Sequence, residues 1–176
     1  MQSTPTNHFE LFSIAEQFNL DTSALETNYR KIQSAAHPDR FITAPAAERL
    51  SAMHLATSAN EAYTVLKSPS KRAKYMLEQH GIDAIADTNT AMPMDFLMQQ
   101  MEWRERIEDA KAARDIAELD SIADELATEA KALVGDLCEL FDIKQDLTAA
   151  TEITRKLIFI DKVRADIDQV IEQLDY

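Results

Sequence analysis

Glycine is nearly absent from this chain, with two glycines and five prolines among 176 residues. Valine is scarce, and Ala, Leu, Glu, Asp, Lys and Gln dominate, which is the composition of an all-helical protein. We therefore predict an all-α fold without a β-sheet. A chain of this length forms one ordinary domain or two small ones that share a core or an interface.

The charge is distributed unevenly along the chain, which carries a formal net charge of −13. Up to His80, acids and bases are equal in number, and the remaining residues hold 23 of the 31 acids and 10 of the 18 bases. This difference predicts two modules with different electrostatics. Nucleic acid is not an expected partner, because Lys and Arg contacts to phosphate supply most of that affinity.

The cysteine count and the N-terminus both bear on the compartment. Cys138 is the single cysteine, so no disulfide can form within the chain. The first residues, MQSTPTNHFELF, lack the features of a secretory signal or an organelle transit peptide. No apolar run reaches eighteen residues. We expect a cytoplasmic protein that does not interact with membranes.

Helical periodicity and capping residues divide the chain further. The first module is predicted to have four helices, which cover about Glu10 to Phe18, Asp21 to His37, Pro45 to Ser68 and Ser70 to Gln79. Three longer helices near 94–112, 115–142 and 148–174 predict an antiparallel bundle. The expected domains are residues 1–80, a linker at 81–93, and the three-helix bundle at 94–176.

The tripeptide His37-Pro38-Asp39 lies between the second and third predicted helices. Pro38 fixes one backbone dihedral and disfavours a helical His37, so we expect a compact loop in which Asp39 accepts backbone donors. A capped turn without function, a catalytic dyad and a metal ligand are the alternatives. No motif places a nucleophile, no glycine-rich loop offers an anion hole, and the four histidines lack His-x-x-x-His spacing. We expect no enzymatic activity, cofactor or metal.

Residues 8–80 resemble a J domain, the module by which co-chaperones engage DnaK-type ATPase chaperones. The resemblance rests on HFELF, on Tyr29-Arg30-Lys31, on the HPD tripeptide, and on NEAYTVLKSPSKRAKYML at 60–77. It implies that His37, Pro38 and Asp39 contact the chaperone and stimulate its ATPase activity. The basic flank of that contact would be Arg30, Lys31 and Arg40.

The segment DFLMQQMEWRERIED, residues 95–109, places apolar side chains on two sides of one helix. One side holds a core stripe of Phe96, Trp103, Ile107 and Ala110. The opposite side holds Leu97, Met98 and Met101, with Glu102 and Glu105 beside them. This second side either packs against the first module or forms an exposed face for a protein client.

A J domain followed by an acidic bundle, with FLMQQMEWRE in one helix and RKLIFIDKVR at 155–164, resembles the HscB family of iron-sulfur cluster co-chaperones. The resemblance implies binding of an IscU-type scaffold protein and of an HscA-type chaperone. The implied scaffold-binding residues are Leu97, Met98, Met101, Glu102, Glu105 and Phe159. The absence of an N-terminal cysteine module and targeting segment favours the bacterial form. A J protein with another client, a purely structural helical protein and a small hydrolase built on His37 and Asp39 are the alternatives.

Overall fold

The computed structural model describes residues 7–86 and 92–174. Throughout these two ranges the regular structure is helical, which confirms the all-α prediction. The chain divides into two compact units, residues 1–75 and 76–176. The predicted boundaries at 80 and 93 stay a prediction, and part of the linker, residues 87–91, lies outside the described residues.

The first unit is built around a helical hairpin. Its helices are α1 (His8–Leu11), α2 (Thr22–Ala35), α3 (Ala46–Lys67) and the first part of α4 (Pro69–Gln79). Asp21 caps α2 as predicted, because its Oδ1 accepts the backbone N–H groups of Ser23 and Ala24, each at 3.0 Å. The core between the helices contains Leu25, Ala59, Ala62 and Leu66, with the rings of Phe9, Phe12 and Phe18.

The first helix is much shorter than the predicted Glu10 to Phe18, so that prediction is wrong. Its chain turns away at Ser13, which has a left-handed φ of 52°. The Ile14 N–H then donates to the Phe9 carbonyl at 3.1 Å, which is the bond that closes a Schellman motif. Phe12 and Phe18 are therefore buried from an irregular segment.

The second unit contains a three-helix bundle of α5 (Met94–Ala113), α6 (Ile116–Glu139) and α7 (Leu147–Leu174), with a π-helical turn at Leu140–Lys144. The predicted breaks are confirmed, since Arg114 and Gln145 take left-handed φ values of 55° and 54°. The bundle core includes Trp103, Leu119, Ile122, Leu126, Leu137, Leu157, Ile160 and Ile167. Among the described residues, no helix is long and apolar enough to span a membrane.

Candidate partner-binding surfaces

The HPD tripeptide forms the tip of the α2–α3 hairpin. His37 is extended, with φ −61° and ψ 132°, as Pro38 was predicted to require. Residues Pro38–Phe41 form one short 3-10 turn, and the Nδ1 atom of His37 caps it by accepting the Asp39 N–H at 3.3 Å. The tip is therefore held by bonds between near neighbours in the chain.

Asp39 does not take the role that the sequence suggested. It was expected to accept backbone donors, but the bond at the tip runs the other way, from its own N–H to the imidazole. Its Oδ2 lies 3.7 Å from Nδ1 of His37, which exceeds hydrogen-bonding distance. The carboxylate is 81% exposed and the imidazole 59%, so both side chains face solvent.

This geometry does not favour a catalytic dyad. In a triad, the carboxylate accepts the ring N–H and orients the imidazole toward a nucleophile. Here Nδ1 of His37 is occupied by a backbone donor instead. Within the two described ranges there is also no group of three or more His, Cys, Asp or Glu side chains that could hold a metal ion.

The three predicted basic residues are all exposed, on α2 and on the 3-10 turn. Arg30 forms an ion pair with Glu26, one turn earlier on α2. Lys31 Nζ donates to Asn28 Oδ1 at 3.1 Å, and Arg40 directly follows Asp39. The Glu26 pair was not predicted, although the i,i+4 spacing of opposite charges indicates it.

Aromatic stacking joins α2 to α3 behind the tip. The rings of Tyr29 and Tyr63 stack with centroids 4.1 Å apart, and the Tyr29 hydroxyl donates to Asn60 Oδ1 at 2.8 Å. Gln33 Nε2 donates to the same oxygen. Tyr63 is half-buried. These contacts fix the two helices that carry the tip.

The second predicted surface lies on α5 and is called the Met-rich face: Leu97, Met98, Met101, Glu102 and Glu105. At 100° per residue, its members fall within an arc of about 140°. All are exposed, with Met98 at 66% and Met101 at 71%, and Leu97 at 39%. The buried side chains of α5, Phe96, Trp103 and Ala110, lie on the opposite side of the helix, as predicted.

Met94 extends this face by one turn, and the sequence analysis missed it. It is 72% exposed and precedes Leu97 and Met98 by three and four positions. It already belongs to the predicted helix at 94–112, but the segment singled out for its two apolar sides began at Asp95. Pro93 precedes the first turn of α5, so Met94 is the first residue of the observed helix.

Phe159 is half-buried and lies at the edge of the bundle core. Its ring packs edge-on against Phe96, with centroids 5.8 Å apart, and the guanidinium of Arg104 lies 6.0 Å from its centre. Phe159 also lines an open groove of about 540 Å³ between α5 and α7. The ring therefore combines a packing role with a partly exposed surface.

Arg106 fastens α5 to α6. Its guanidinium donates to the carboxylate of Glu118 at 2.8 Å and to that of Glu125 at 2.7 and 2.9 Å. These hydrogen bonds raise the pKa of Arg106 and lower the pKa of Glu125. We call Arg106, Glu118 and Glu125 the clamp. It holds α5, the helix that presents the Met-rich face.

Comparisons with known proteins agree with this architecture. Residues 92–168 match the family described as HSCB C-terminal oligomerisation domain. The chain is 49% identical to the co-chaperone protein HscB homolog of Burkholderia thailandensis over 100% of both chains, and 49% identical to that of Paraburkholderia phymatum over 99% of both.

Solved structures show the same similarity. The chaperone HscB from Vibrio cholerae superimposes with a TM-score of 0.81 at 35% identity, covering 96% of this chain and 99% of that one. Human co-chaperone protein HscB gives a TM-score of 0.86 at 27% identity, covering 94% of this chain and 83% of that one. With nearly half of its residues identical to the Burkholderia protein along the full length, the chain belongs to the HscB co-chaperone family.

Proposed function

We propose that this protein is an adaptor with two binding surfaces and no catalytic activity of its own. The Met-rich face, together with Phe159, binds an IscU-type iron-sulfur scaffold protein. The HPD tip engages a DnaK-like ATPase chaperone of the HscA type and stimulates its ATP hydrolysis in the cytoplasm. Residues 1–80 act as the J domain, 81–93 as the linker and 94–176 as the scaffold-binding bundle.

The observation that carries this proposal is the exposed and internally braced HPD tip. Its imidazole, proline ring and carboxylate project from one short turn whose conformation is set within the turn itself. A surface that is already ordered loses little conformational entropy on binding. Such a tip suits recognition by a protein better than chemistry, because Nδ1 of His37 accepts a backbone N–H and does not donate to a carboxylate as in a catalytic triad.

The charge of the basic flank indicates that the chaperone surface it contacts is acidic. Arg30, Lys31 and Arg40 are exposed, and they lie in the electrically neutral part of a chain that is otherwise strongly acidic. Charged residues at the rim of an interface accelerate association more than they tighten it. Because Glu26 pairs with Arg30, we expect the side chain of Arg30 to exchange this partner for an acid of the chaperone.

The Met-rich face supports capture of an apolar patch on the scaffold. Exposed methionines adapt their flexible, polarisable side chains to an irregular partner surface. Leu97 contributes a less exposed side chain, and the two glutamates border the face and suit basic residues on the scaffold. Met101 occupies a place where the family resemblance suggests leucine, and this exchange conserves volume.

Coupling of the two surfaces gives the proposed mechanism. The bundle captures the scaffold, and the tip presents the complex to the chaperone. Hydrolysis in the chaperone then closes it on the scaffold and promotes cluster transfer. The cluster is cargo of the scaffold and ATP is the substrate of the chaperone, so this chain contributes only binding energy and placement.

A steady-state ATPase assay of the HscA-type chaperone tests this function. The four arms are chaperone alone, with this protein, with the scaffold, and with both. We expect stimulation by this protein and a further, greater-than-additive stimulation when the scaffold is present. An ATPase stimulation that is the same with and without the scaffold would indicate another client. ATP turnover by this protein alone would contradict the proposal.

A further inference from the structure

An open apolar cleft lies at the root of the HPD tip, and we call it the alanine cleft. It has a volume of about 220 Å³ and lies between the end of α2, the 3-10 turn and the first turns of α3. Its walls include Ala35, Ala36, Phe41, Ala52 and Leu55, with Glu48 at the rim.

Small side chains create this cleft. Ala35 and Ala36 end α2, and Ala52 faces them from α3. Larger side chains at such helix contacts usually interdigitate and fill the space. Here Leu55 is left 39% exposed although it lies on the side of α3 that faces α2, and Phe41 is half-buried. The apolar walls of the cleft are thus partly open to solvent.

A stable interface covers more surface than the tip alone, and the cleft directly adjoins the tip. A specific complex covers roughly 800 Å² on each partner and has an apolar centre. The tip supplies mainly polar groups from His37, Asp39 and Arg40, which suit a rim better than a centre. Ala36 directly precedes His37, and Phe41 ends the turn that contains Asp39. A partner that binds the tip therefore lies close enough to contact the cleft.

We propose that the alanine cleft receives an apolar side chain of the ATPase chaperone, next to a basic residue of that chaperone. Glu48 and the negative C-terminal end of the α2 helix dipole provide the charge that suits the basic neighbour. This inference rests on the proposed function and names a second element of the same contact. The tip fixes orientation, and the cleft supplies apolar binding energy.

Two leucines of α3 provide a matched test. Leu55 lines the cleft, whereas Leu50 is 51% exposed and lies about 140° away around the helix at 100° per residue. Leu55→Ala is expected to raise the concentration of this protein that gives half-maximal stimulation of the chaperone by about tenfold, the scale of an interface anchor. Leu50→Ala is expected to leave that concentration within about twofold, as for a residue outside the contact.

A variant that fills the cleft distinguishes loss of the cleft contact from loss of folding. Ser51 is exposed and also borders the cleft, so Ser51→Leu blocks the cleft without removing any buried group. We expect it to weaken stimulation in the same direction as Leu55→Ala, with an unchanged circular dichroism melt. Glu48→Gln is expected to raise the half-maximal concentration about two- to threefold through the lost charge.

The outcomes distinguish this inference from the proposed function. Equal effects of Leu50→Ala and Leu55→Ala, or no effect of Ser51→Leu, overturn the cleft contact while His37→Gln still abolishes stimulation. Reduced scaffold binding by the cleft variants, with stimulation intact, also overturns it and places the scaffold there. Stimulation that survives His37→Gln overturns the proposed function itself.

Discussion

The HPD tip and the Met-rich face are both exposed, but their conformations have different origins. At the tip, three consecutive residues are fixed by the Pro38 ring and by a hydrogen bond between His37 and Asp39. On α5, five side chains spread over nine positions share a face only because the helix brings them together. The tip is polar and rigid, whereas the face is largely apolar and its methionines are flexible.

This difference predicts different responses to substitution. A rigid tip of three residues has no redundancy, because each group occupies one place in the contact. A face of several adaptable side chains can lose one member and re-pack around the gap. Substitutions at the tip should therefore act in an all-or-none manner, while substitutions on the face should accumulate.

The largest expected effect is that of His37→Gln. Glutamine cannot reproduce both the ring that caps the turn and the imidazole surface, so stimulation of the chaperone ATPase should fall to the basal rate. Scaffold affinity should stay unchanged in a calorimetric titration. Because His37 is 59% exposed and caps only one short turn, the free energy of unfolding should change by no more than about 1 kcal/mol.

His54→Gln is the matched control, since His54 is an exposed histidine of α3. It should leave both stimulation and scaffold binding at wild-type values. Joint loss of ATPase stimulation and scaffold affinity in His37→Gln would show that the two surfaces are not independent, and the comparison between them would fail.

The next largest effect is expected from replacing Leu97, Met98 and Met101 together with alanine. Scaffold binding should weaken by several kcal/mol, the scale at which interface anchors act. Each single change should cost less than a third of this, because the remaining side chains re-pack around the gap. Stimulation of the chaperone without scaffold should remain. Isothermal titration calorimetry measures the affinities, and the ATPase assay measures the stimulation.

Ile143→Ala is the control for loss of exposed apolar surface, because Ile143 is 77% exposed in the π-helical turn. It should not change scaffold affinity. An unchanged affinity in the triple variant would assign the Met-rich face to packing alone. A single substitution that removes all binding would show that the face acts like the tip.

Local signals made most of the fold predictable. Asp21 ahead of α2, Pro45 ahead of α3 and the breaks near Arg114 and Gln145 act within a few residues, so the sequence near each boundary contains the cause. The early end of α1 was missed because Ser13 adopts a left-handed conformation that usually favours glycine. Burial of the phenylalanines around it stabilises that turn, and this depends on tertiary packing.

The candidate surfaces were predictable to different degrees. The exposed side of α5 follows from helical spacing, and the extended His37 follows from Pro38. The direction of the hydrogen bond at the tip does not follow, since either side chain could have bonded to a backbone group. The alanine cleft requires Ala36 and Ala52 to meet across two helices, and alanine gives no periodic signal of an unfilled space.

The smallest expected effect concerns the clamp beneath the Met-rich face. The Arg106 guanidinium lowers the pKa of Glu125 in the folded chain from its ordinary value of 4.5. The ionised carboxylate therefore stabilises the folded state above pH 4.5, and this contribution is lost as the pH falls through the lowered pKa. Because the pair is partly exposed, Glu125→Gln should cost about 0.5 kcal/mol at pH 7.

Urea unfolding followed by the fluorescence of Trp103, the single tryptophan and a core residue of the bundle, measures this cost. The difference between wild type and Glu125→Gln should shrink below pH 4.5 and vanish in stronger acid, while scaffold affinity at pH 7 stays unchanged. Asp124→Asn, one residue earlier on α6, removes the same charge without touching the clamp and should not reproduce the loss of stability at pH 7. A stability difference that persists in acid would mean that packing, and not the ion pair, holds α5 in place.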